Sequence, residues 1–158
     1  MELEERLAAV EERLAALEGA STGASESTGT SGDLWALDHL TDSVVFAGDV
    51  RTGAGHAQYQ WQRPTRMLLD EPWDAHLERL AALAHPVRGA VLRRLLDSPA
   101  TVADLVDEQL ATSTGTAYHH LGALQAGGWI TKEAGGRWSV RTARVVPLLA
   151  VIAATEDH

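Results

Sequence analysis

The pattern of apolar and polar residues between positions 101 and 126 predicts two helices joined by a polar turn. Thr101 and Ser113 are residue types that cap helix N-termini, and each precedes a run in which apolar residues recur three or four positions apart. The apolar positions are Val102, Leu105 and Val106 in the first run, and Ala117, Leu121 and Leu124 in the second. Because glycine disfavours helix, Gly127 and Gly128 should end the second helix.

A glycine-tipped β-hairpin is predicted directly after these helices. Residues 129–134 and 137–141 are strand-like runs on either side of Gly135 and Gly136, a pair suited to a tight turn. The second helix presents hydroxyl and imidazole groups in place of charges, and Arg137 lies near the hairpin turn. A helix that fits the major groove of DNA would therefore lie beside a small basic hairpin.

Two sequence motifs flank this predicted unit. Residues 80–88 read LAALAHPVR, and residues 118–130 read YHHLGALQAGGWI. Together they resemble the ArsR-like winged helix-turn-helix regulators, and the resemblance extends over residues 73–155, about half of the chain. It implies an α+β fold, mainly α with small β elements, and a homodimer that binds double-stranded DNA.

The resemblance also implies specific roles for parts of the chain. It places a recognition helix at about residues 113–126 in the major groove and a wing at about residues 129–141 on the backbone or in the minor groove. The residues that it assigns to DNA contact are Ser113, Thr114, Thr116, Tyr118, His119 and Arg137. In this family the first and last helices form the dimer interface, and the matching residues of the last helix are Leu148, Leu149 and Ile152. The implied function is that of a transcriptional regulator, specifically a repressor.

Helical apolar spacing also predicts the body of this domain. One helix should begin near Trp73 and end before His85 and Pro86, where His85 is expected to act as a local hydrogen-bonding cap. A second helix should follow it. The last helix is predicted over residues 145–154, with Pro147 in its first turn.

The titratable residues offer no recognisable catalytic or metal site. The chain has no cysteine, which excludes thiolate metal sensing and thiol redox switching. His119 and His120 are adjacent, so on a helix they point about 100° apart and cannot chelate one ion from one chain. One of them should pack under the helix. Because no nucleophile motif or glycine-rich phosphate loop is present, we expect neither an enzyme nor a bound cofactor or metal.

The N-terminal 18 residues have the heptad pattern of a coiled coil. Its core positions are Leu3, Leu7, Val10, Leu14 and Leu17. In a parallel pair Arg6 would face Glu11 and Arg13 would face Glu18, whereas an antiparallel pair would oppose like charges. A parallel dimer is therefore favoured, but so short a seam also fits a trimer or a single helix packed on its own domain. Residues 19–32, rich in Ser, Thr, Gly and Ala, read as a flexible linker.

Residues 33–71 read as a helix followed by a β-hairpin, an addition to the family pattern. The helix is predicted at residues 33–40, and strands at residues 43–50 and 57–63. Tyr59 and Trp61 alternate with Gln58, Gln60 and Gln62, which is typical of a half-buried strand.

This segment has three interpretations. Its aromatic residues could line a pocket for a small-molecule or protein effector, with His39, His56 or Arg63 as polar anchors. The candidate pocket residues are Trp35, Phe46, Tyr59, Trp61 and Trp73. The same aromatic side chains could instead form the core of a small subdomain or a dimer contact. Alternatively, the glutamines could mark an exposed strand that pairs with its mate across a two-fold axis.

The distribution of charge bears on the predicted DNA binding. The net charge is −9, but residues 1–33 hold 8 acidic and 2 basic side chains, whereas residues 72–158, the proposed winged-helix domain, hold 9 and 8. A nearly neutral DNA-binding domain predicts modest non-specific affinity and dependence on dimerisation. The low positive charge also leaves open a scaffold or co-regulator that binds a protein partner. Since no apolar run approaches about 20 residues and the N-terminus is acidic, a cytoplasmic, nucleoid-associated protein without a membrane partner is expected.

Overall fold

The structure, a computed structural model, describes residues 40–157. Three predictions lie outside these residues: the coiled coil of residues 1–18, including Leu3, Leu7, Val10, Leu14 and Leu17, the linker of residues 19–32, and the helix that contains Trp35 and His39. The described part is mixed α/β and contains six α-helices and two antiparallel hairpins. Within it, no helix combines the length and apolarity that crossing a bilayer requires.

The elements follow one another with short connections. In chain order they are β1 (Ser43–Thr52), β2 (Gly55–Pro64), α1 (Thr65–Asp70), α2 (Asp74–Leu83), α3 (Pro86–Asp97), α4 (Val102–Asp107), α5 (Thr114–Ala126), β3 (Ile130–Lys132), β4 (Trp138–Val140) and α6 (Thr142–Ala153). Strands β1 and β2 form one two-stranded sheet, and β3 and β4 form the other.

Three helix starts are held by side-chain caps, as the sequence predicts. The Thr101 hydroxyl accepts a hydrogen bond from the backbone N–H of Asp104 at 3.2 Å, and the Asp104 carboxylate accepts one from the Thr101 N–H at 2.7 Å. The hydroxyl of Ser113 accepts from Thr116 N–H at 3.2 Å. His85 Nδ1 accepts from Val87 N–H at 3.2 Å, which confirms its local capping role. These caps satisfy backbone donors that helix starts leave unpaired.

The core lies between the buried faces of α3, α4 and α5 and the short β3–β4 sheet. Its fully buried large side chains are Val91, Leu95, Leu105, Leu121, Leu124 and Ile130. Burying an aliphatic side chain of this size contributes roughly 1.5–3 kcal/mol. The apolar residues predicted for α4 and α5 therefore hold these two helices against the core.

The long β1–β2 hairpin packs across α6. Phe46 pairs with Trp61 and Gly48 with Tyr59, which confirms that the aromatic residues share one face. A Cβ atom at Gly48 would lie 2.8 Å from Cγ1 of Val146, so only glycine allows this close approach. At the hairpin turn, Ala54 N–H donates to the carbonyl of Leu96 at 3.1 Å, which attaches the turn to the end of α3.

Two local features differ from the sequence predictions. Residues Thr65–Asp70 form α1, although no helix was predicted there. Helix α6 begins at Thr142, so Pro147 lies inside it, and its placement in the first turn was wrong. Because proline has no N–H, the carbonyl of Ala143 lacks its usual partner four residues on, and packing of α6 against the β1–β2 hairpin must offset that loss.

Candidate nucleic-acid interface

Helix α5 has one buried face and one exposed face. The buried face consists of Ala117, His120, Leu121 and Leu124. The opposite face exposes Thr114, Gly115, Tyr118, His119 and Gly122. Tyr118 is 55% exposed.

The predicted DNA-contact residues of α5 divide into two groups. Ser113 and Thr116 are engaged at the helix start, where their hydroxyl oxygens lie 3.0 Å apart and Thr112 Oγ1 lies 3.3 Å from Thr116 Oγ1. The side chains of Thr114, Tyr118 and His119 make no hydrogen bond to any other residue of the described range 40–157. The first group shapes the turn, and the second presents polar groups that the fold does not use.

Gly115 and Gly122 are also part of the exposed face, and neither was predicted from the sequence as a candidate site residue. A Cβ atom at Gly122 would meet nothing within 4 Å, and one at Gly115 would meet only the Ser113 hydroxyl, at 3.8 Å. Glycine in a helix interior costs about 1 kcal/mol relative to alanine. The fold itself does not require glycine at these two positions.

The β3–β4 hairpin is held against the start of α4. Trp138 and Ala100 exchange two backbone hydrogen bonds, at 2.7 and 3.0 Å. Arg137, the predicted wing contact, is exposed and donates to the carbonyl of Pro99 at 3.3 Å. Lys132 Nζ lies 5.7 Å from the centre of the Trp138 ring. These contacts place two cationic side chains on the hairpin.

Acidic groups near this hairpin are held in hydrogen bonds. The Thr101 backbone N–H, followed by its hydroxyl, lowers the pKa of Asp104, and the charges of Arg94 and Arg137 add to this effect. Glu108 accepts hydrogen bonds from Arg94 Nε at 2.7 and 2.9 Å, and this pairing raises the pKa of Arg94. Glu108 is therefore paired with a cation, whereas Asp104 stays ionised in the first turn of α4.

His120 lies under α5, as expected for one member of the histidine pair, and is 7% exposed. Its ring centre lies 4.7 Å from that of His85 and 5.4 Å from that of His119, and no hydrogen bond to its Nδ1 atom is found within residues 40–157. Burial lowers the pKa of His120, and the charges of His85, His119 and Arg88 lower it further. Neutral imidazole is the form that this site favours.

An apolar groove lies between α2, α3 and α6. The predicted dimerisation residues differ in exposure there: Leu148 is 4% exposed and belongs to the core, whereas Ile152 is 54% exposed. Leu149 is half-buried and lines the groove together with Leu83, Leu92 and Leu96. The groove has a volume of about 260 Å³.

The aromatic residues of the β1–β2 hairpin line a second cavity. The rings of Phe46 and Tyr59 stack with their centres 5.9 Å apart, and those of Tyr59 and Trp61 with their centres 6.2 Å apart. Together with residues of α1, α2 and α6 they surround about 620 Å³. Trp73, also predicted for this pocket, does not line it; its Nε1 donates to the Leu68 carbonyl at 2.7 Å.

The opposite face of the same hairpin carries the glutamines. Gln58 Nε2 donates to Asp49 at 2.8 Å, and Gln62 Nε2 donates to the Ser43 hydroxyl at 2.8 Å. His56 also contacts Asp49, at 2.6 Å, near the hairpin turn and away from the aromatic cavity. The hydrogen bond from Gln58, followed by that from His56, lowers the pKa of Asp49. Two of the three glutamines are therefore engaged within the hairpin.

Among residues 40–157, no group of three or more His, Asp or Glu side chains is arranged to hold a metal ion. No model of a known protein family matches the chain, and no curated protein sequence matches it significantly.

Proposed function

We propose that the chain is a sequence-specific DNA-binding transcriptional regulator that acts as a homodimer. In this proposal α4 and α5 form the helix-turn-helix, β3 and β4 form the wing, and the protein represses transcription at the nucleoid in the cytoplasm. The observation that carries it is the exposed face of α5, whose polar groups at Thr114, Tyr118 and His119 are not used by the fold.

The chemistry of this face suits the edges of bases. Hydroxyl and imidazole groups donate and accept hydrogen bonds, and the tyrosine ring can contact a thymine methyl group. Ser113 and Thr116 act indirectly, because their mutual hydrogen bond fixes the direction in which α5 leaves the turn. Exposed glycines at positions 115 and 122 would let the helix backbone approach the groove closely.

The wing supplies only a modest electrostatic contribution. Lys132 and Arg137 are the basic residues of the hairpin strands and their connecting turn, so a dimer would bring about four cations to the phosphates. Four such contacts predict that the logarithm of the binding constant falls with the logarithm of the salt concentration with a slope of about −3.6. Affinity should then fall roughly 150-fold between about 50 and about 200 mM salt. Sequence-specific contacts and dimerisation must supply the rest of the affinity.

Dimerisation through α2 and α6 is consistent with their exposed apolar side chains. Ile152 is 54% exposed on α6, and Leu77 and Leu80 on α2 are 55% and 42% exposed. Leu83 of α2 and Leu149 of α6 line the same apolar groove. A second copy would cover these side chains, and the predicted coil of residues 1–18 would tether the pair and raise its effective concentration.

Selection from a random duplex library, followed by fluorescence anisotropy, tests the proposal. We expect the full chain to enrich an inverted repeat and to bind it with a dissociation constant of roughly 10 nM near physiological salt. A double variant, Tyr118→Ala with His119→Ala, should lose at least about tenfold of this affinity. Gln58→Ala, on the outer face of the β1–β2 hairpin, is the matched surface control and should bind as the wild type does.

Two outcomes would contradict the proposal. If no sequence is enriched and binding does not saturate even at about 50 mM salt, the regulator assignment is wrong. A protein-binding scaffold or co-regulator, favoured by the low positive charge, would then take its place. If the Tyr118→Ala, His119→Ala double variant binds DNA like the wild type, α5 does not enter the groove.

A further inference from the structure

The aromatic cavity of the β1–β2 hairpin has one apolar wall and one cationic wall. Phe46, Tyr59 and Trp61 form the apolar wall as a continuous stack. Its volume of about 620 Å³ falls within the range typical of small-molecule sites, and Trp61 is 45% exposed at its edge. A flat ring inserted beside these side chains would bury aromatic surface on one face.

The facing wall carries more positive than negative charge. Arg79, Arg141 and Arg144 reach it from α2 and from the start of α6, and none of the ion pairs within residues 40–157 involves them. Glu71 is the one carboxylate among the lining residues. It is already paired with Arg63, at 3.1 Å, so the three arginines remain uncompensated there.

Arg63 adds a donor that lacks a partner. Its terminal Nη2 contacts Glu71, but its Nε atom is buried and makes no hydrogen bond within the described part of the chain. A buried donor without an acceptor is destabilising. Arg63 therefore retains an unused hydrogen-bond donor beside the aromatic rings of the cavity.

The geometry points to a binding site for an organic anion with a flat aromatic ring, of the aromatic carboxylate class. The ring would stack on the Tyr59–Trp61 wall, and the carboxylate would pair with Arg141 and Arg144. Since a guanidinium presents two parallel donors, it matches the two oxygens of a carboxylate. A site for a neutral apolar ligand would not need these arginines.

Trp129 connects this cavity to α5. Its backbone N–H donates to the carbonyl of Leu124 at 3.0 Å, and its carbonyl accepts from the Arg141 N–H at 3.1 Å. Its ring lies 5.5 Å from the guanidinium carbon of Arg144. A carboxylate that drew Arg144 into the cavity would loosen this contact at the end of α5, so the ligand would alter DNA affinity. This regulatory step rests on the proposed DNA-binding function, whereas ligand binding does not.

Calorimetric titration of the full chain with 1-naphthoate, in the absence of DNA, tests the site. We expect saturable binding, with at least about tenfold weaker binding of 1-naphthalenemethanol, which lacks the charge, and of cyclohexanecarboxylate, which lacks the aromatic ring. Arg141→Gln and Arg144→Gln should each weaken naphthoate binding by about tenfold. Arg51→Gln, on the same hairpin but outside the cavity, is the control and should leave it unchanged.

Three results would overturn the site: no saturable naphthoate binding, equal binding of the neutral alcohol, or unchanged binding by both cavity variants. Circular dichroism of each variant shows whether it is folded, and Arg141 is exposed, so its replacement should not perturb the core. DNA anisotropy with and without naphthoate then tests the regulatory step. Naphthoate binding without any change in DNA affinity would overturn that step alone. A chain that binds naphthoate but no DNA would overturn the proposed function and the regulatory step that rests on it, and would leave the binding site standing.

Discussion

The guanidinium of Arg144 lies over the indole ring of Trp129, with its central carbon 5.5 Å from the ring centre. The same indole donates from Nε1 to the carbonyl of Arg79 at 2.9 Å, although the two residues are 50 positions apart in the chain. Trp129 is 4% exposed. One side chain therefore joins α2, the end of α5 and the start of α6, and its removal should affect both stability and DNA binding.

Trp129→Phe should lower the free energy of unfolding by about 2 kcal/mol, because it leaves the Arg79 carbonyl without its donor and weakens the contact with Arg144. Urea unfolding measures this change. Trp73→Phe is the matched control: Trp73 also donates from Nε1, to Leu68, but is 55% exposed, so about 0.5 kcal/mol is expected. Equal losses in the two variants would show that Trp129 has no special connecting role.

Ser113→Ala and Thr114→Ala should separate folding from recognition at the start of α5. Loss of the Ser113 cap should cost about 1 kcal/mol in unfolding free energy, because the Thr116 N–H loses its acceptor. Thr114→Ala should change stability by less than about 0.5 kcal/mol but weaken discrimination between the selected duplex and a scrambled one by roughly tenfold. Unchanged discrimination in Thr114→Ala would remove Thr114 from the proposed contacts.

Local signals explain why much of the fold could be predicted from the sequence. The caps at Thr101 and Ser113 act within three residues of themselves, and Gly135 and Gly136 supply the positive φ values, 74° and 75°, that the β3–β4 turn needs. Period-two alternation around Tyr59 similarly determined which face of β2 carries aromatic rings. Such features depend on neighbours in the chain and are visible without a structure.

The cationic wall of the aromatic cavity could not be predicted in this way. Arg141 and Arg144 lie about 80 positions from Tyr59, and only the packing of the hairpin across α6 brings them together. The same packing explains the error at Pro147, whose missing N–H is tolerated inside a helix supported by tertiary contacts. Gly115 and Gly122 were overlooked because helical glycines have no periodic pattern.

Gly122→Ala should stabilise the fold while weakening DNA binding. The added methyl meets nothing within 4 Å and improves helix propensity, so unfolding free energy should rise by up to about 1 kcal/mol. If the backbone of α5 approaches the DNA groove at this point, the same methyl group should reduce the affinity for the selected duplex by about tenfold. Anisotropy and urea unfolding of the same preparation measure both effects. A stabilised variant with wild-type affinity would show that Gly122 does not face DNA.

Ile152→Glu should weaken self-association, because it places a charge on the exposed apolar side of α6. A two-fold interface contains the substitution twice, so we expect the dimer dissociation constant to rise roughly 100-fold in sedimentation equilibrium. Leu69→Glu, at a residue 68% exposed on α1, is the control. The measurement is repeated in a background that carries Leu7→Ser and Leu14→Ser, which disrupt the predicted coil. If Ile152→Glu leaves the dissociation constant unchanged in that background, α6 is excluded from the dimer interface.

Acidification should destabilise the chain through His120. Its pKa in the folded state lies below the ordinary value of 6.5, because burial and the charges of His85, His119 and Arg88 disfavour the imidazolium. As the pH falls below 6.5, His120 takes up a proton in the unfolded chain before it does so in the folded chain. The part of the unfolding free energy that His120 contributes above pH 6.5 is therefore lost as the pH falls towards the folded-state pKa. Urea unfolding between about pH 7.5 and about pH 5.5 should therefore show a declining free energy. His120→Gln should flatten this decline relative to wild type, whatever its absolute stability. His119→Gln removes only one of the smaller causes and should retain most of the decline, because burial is the largest cause. A slope unaffected by His120→Gln would assign the effect to other groups.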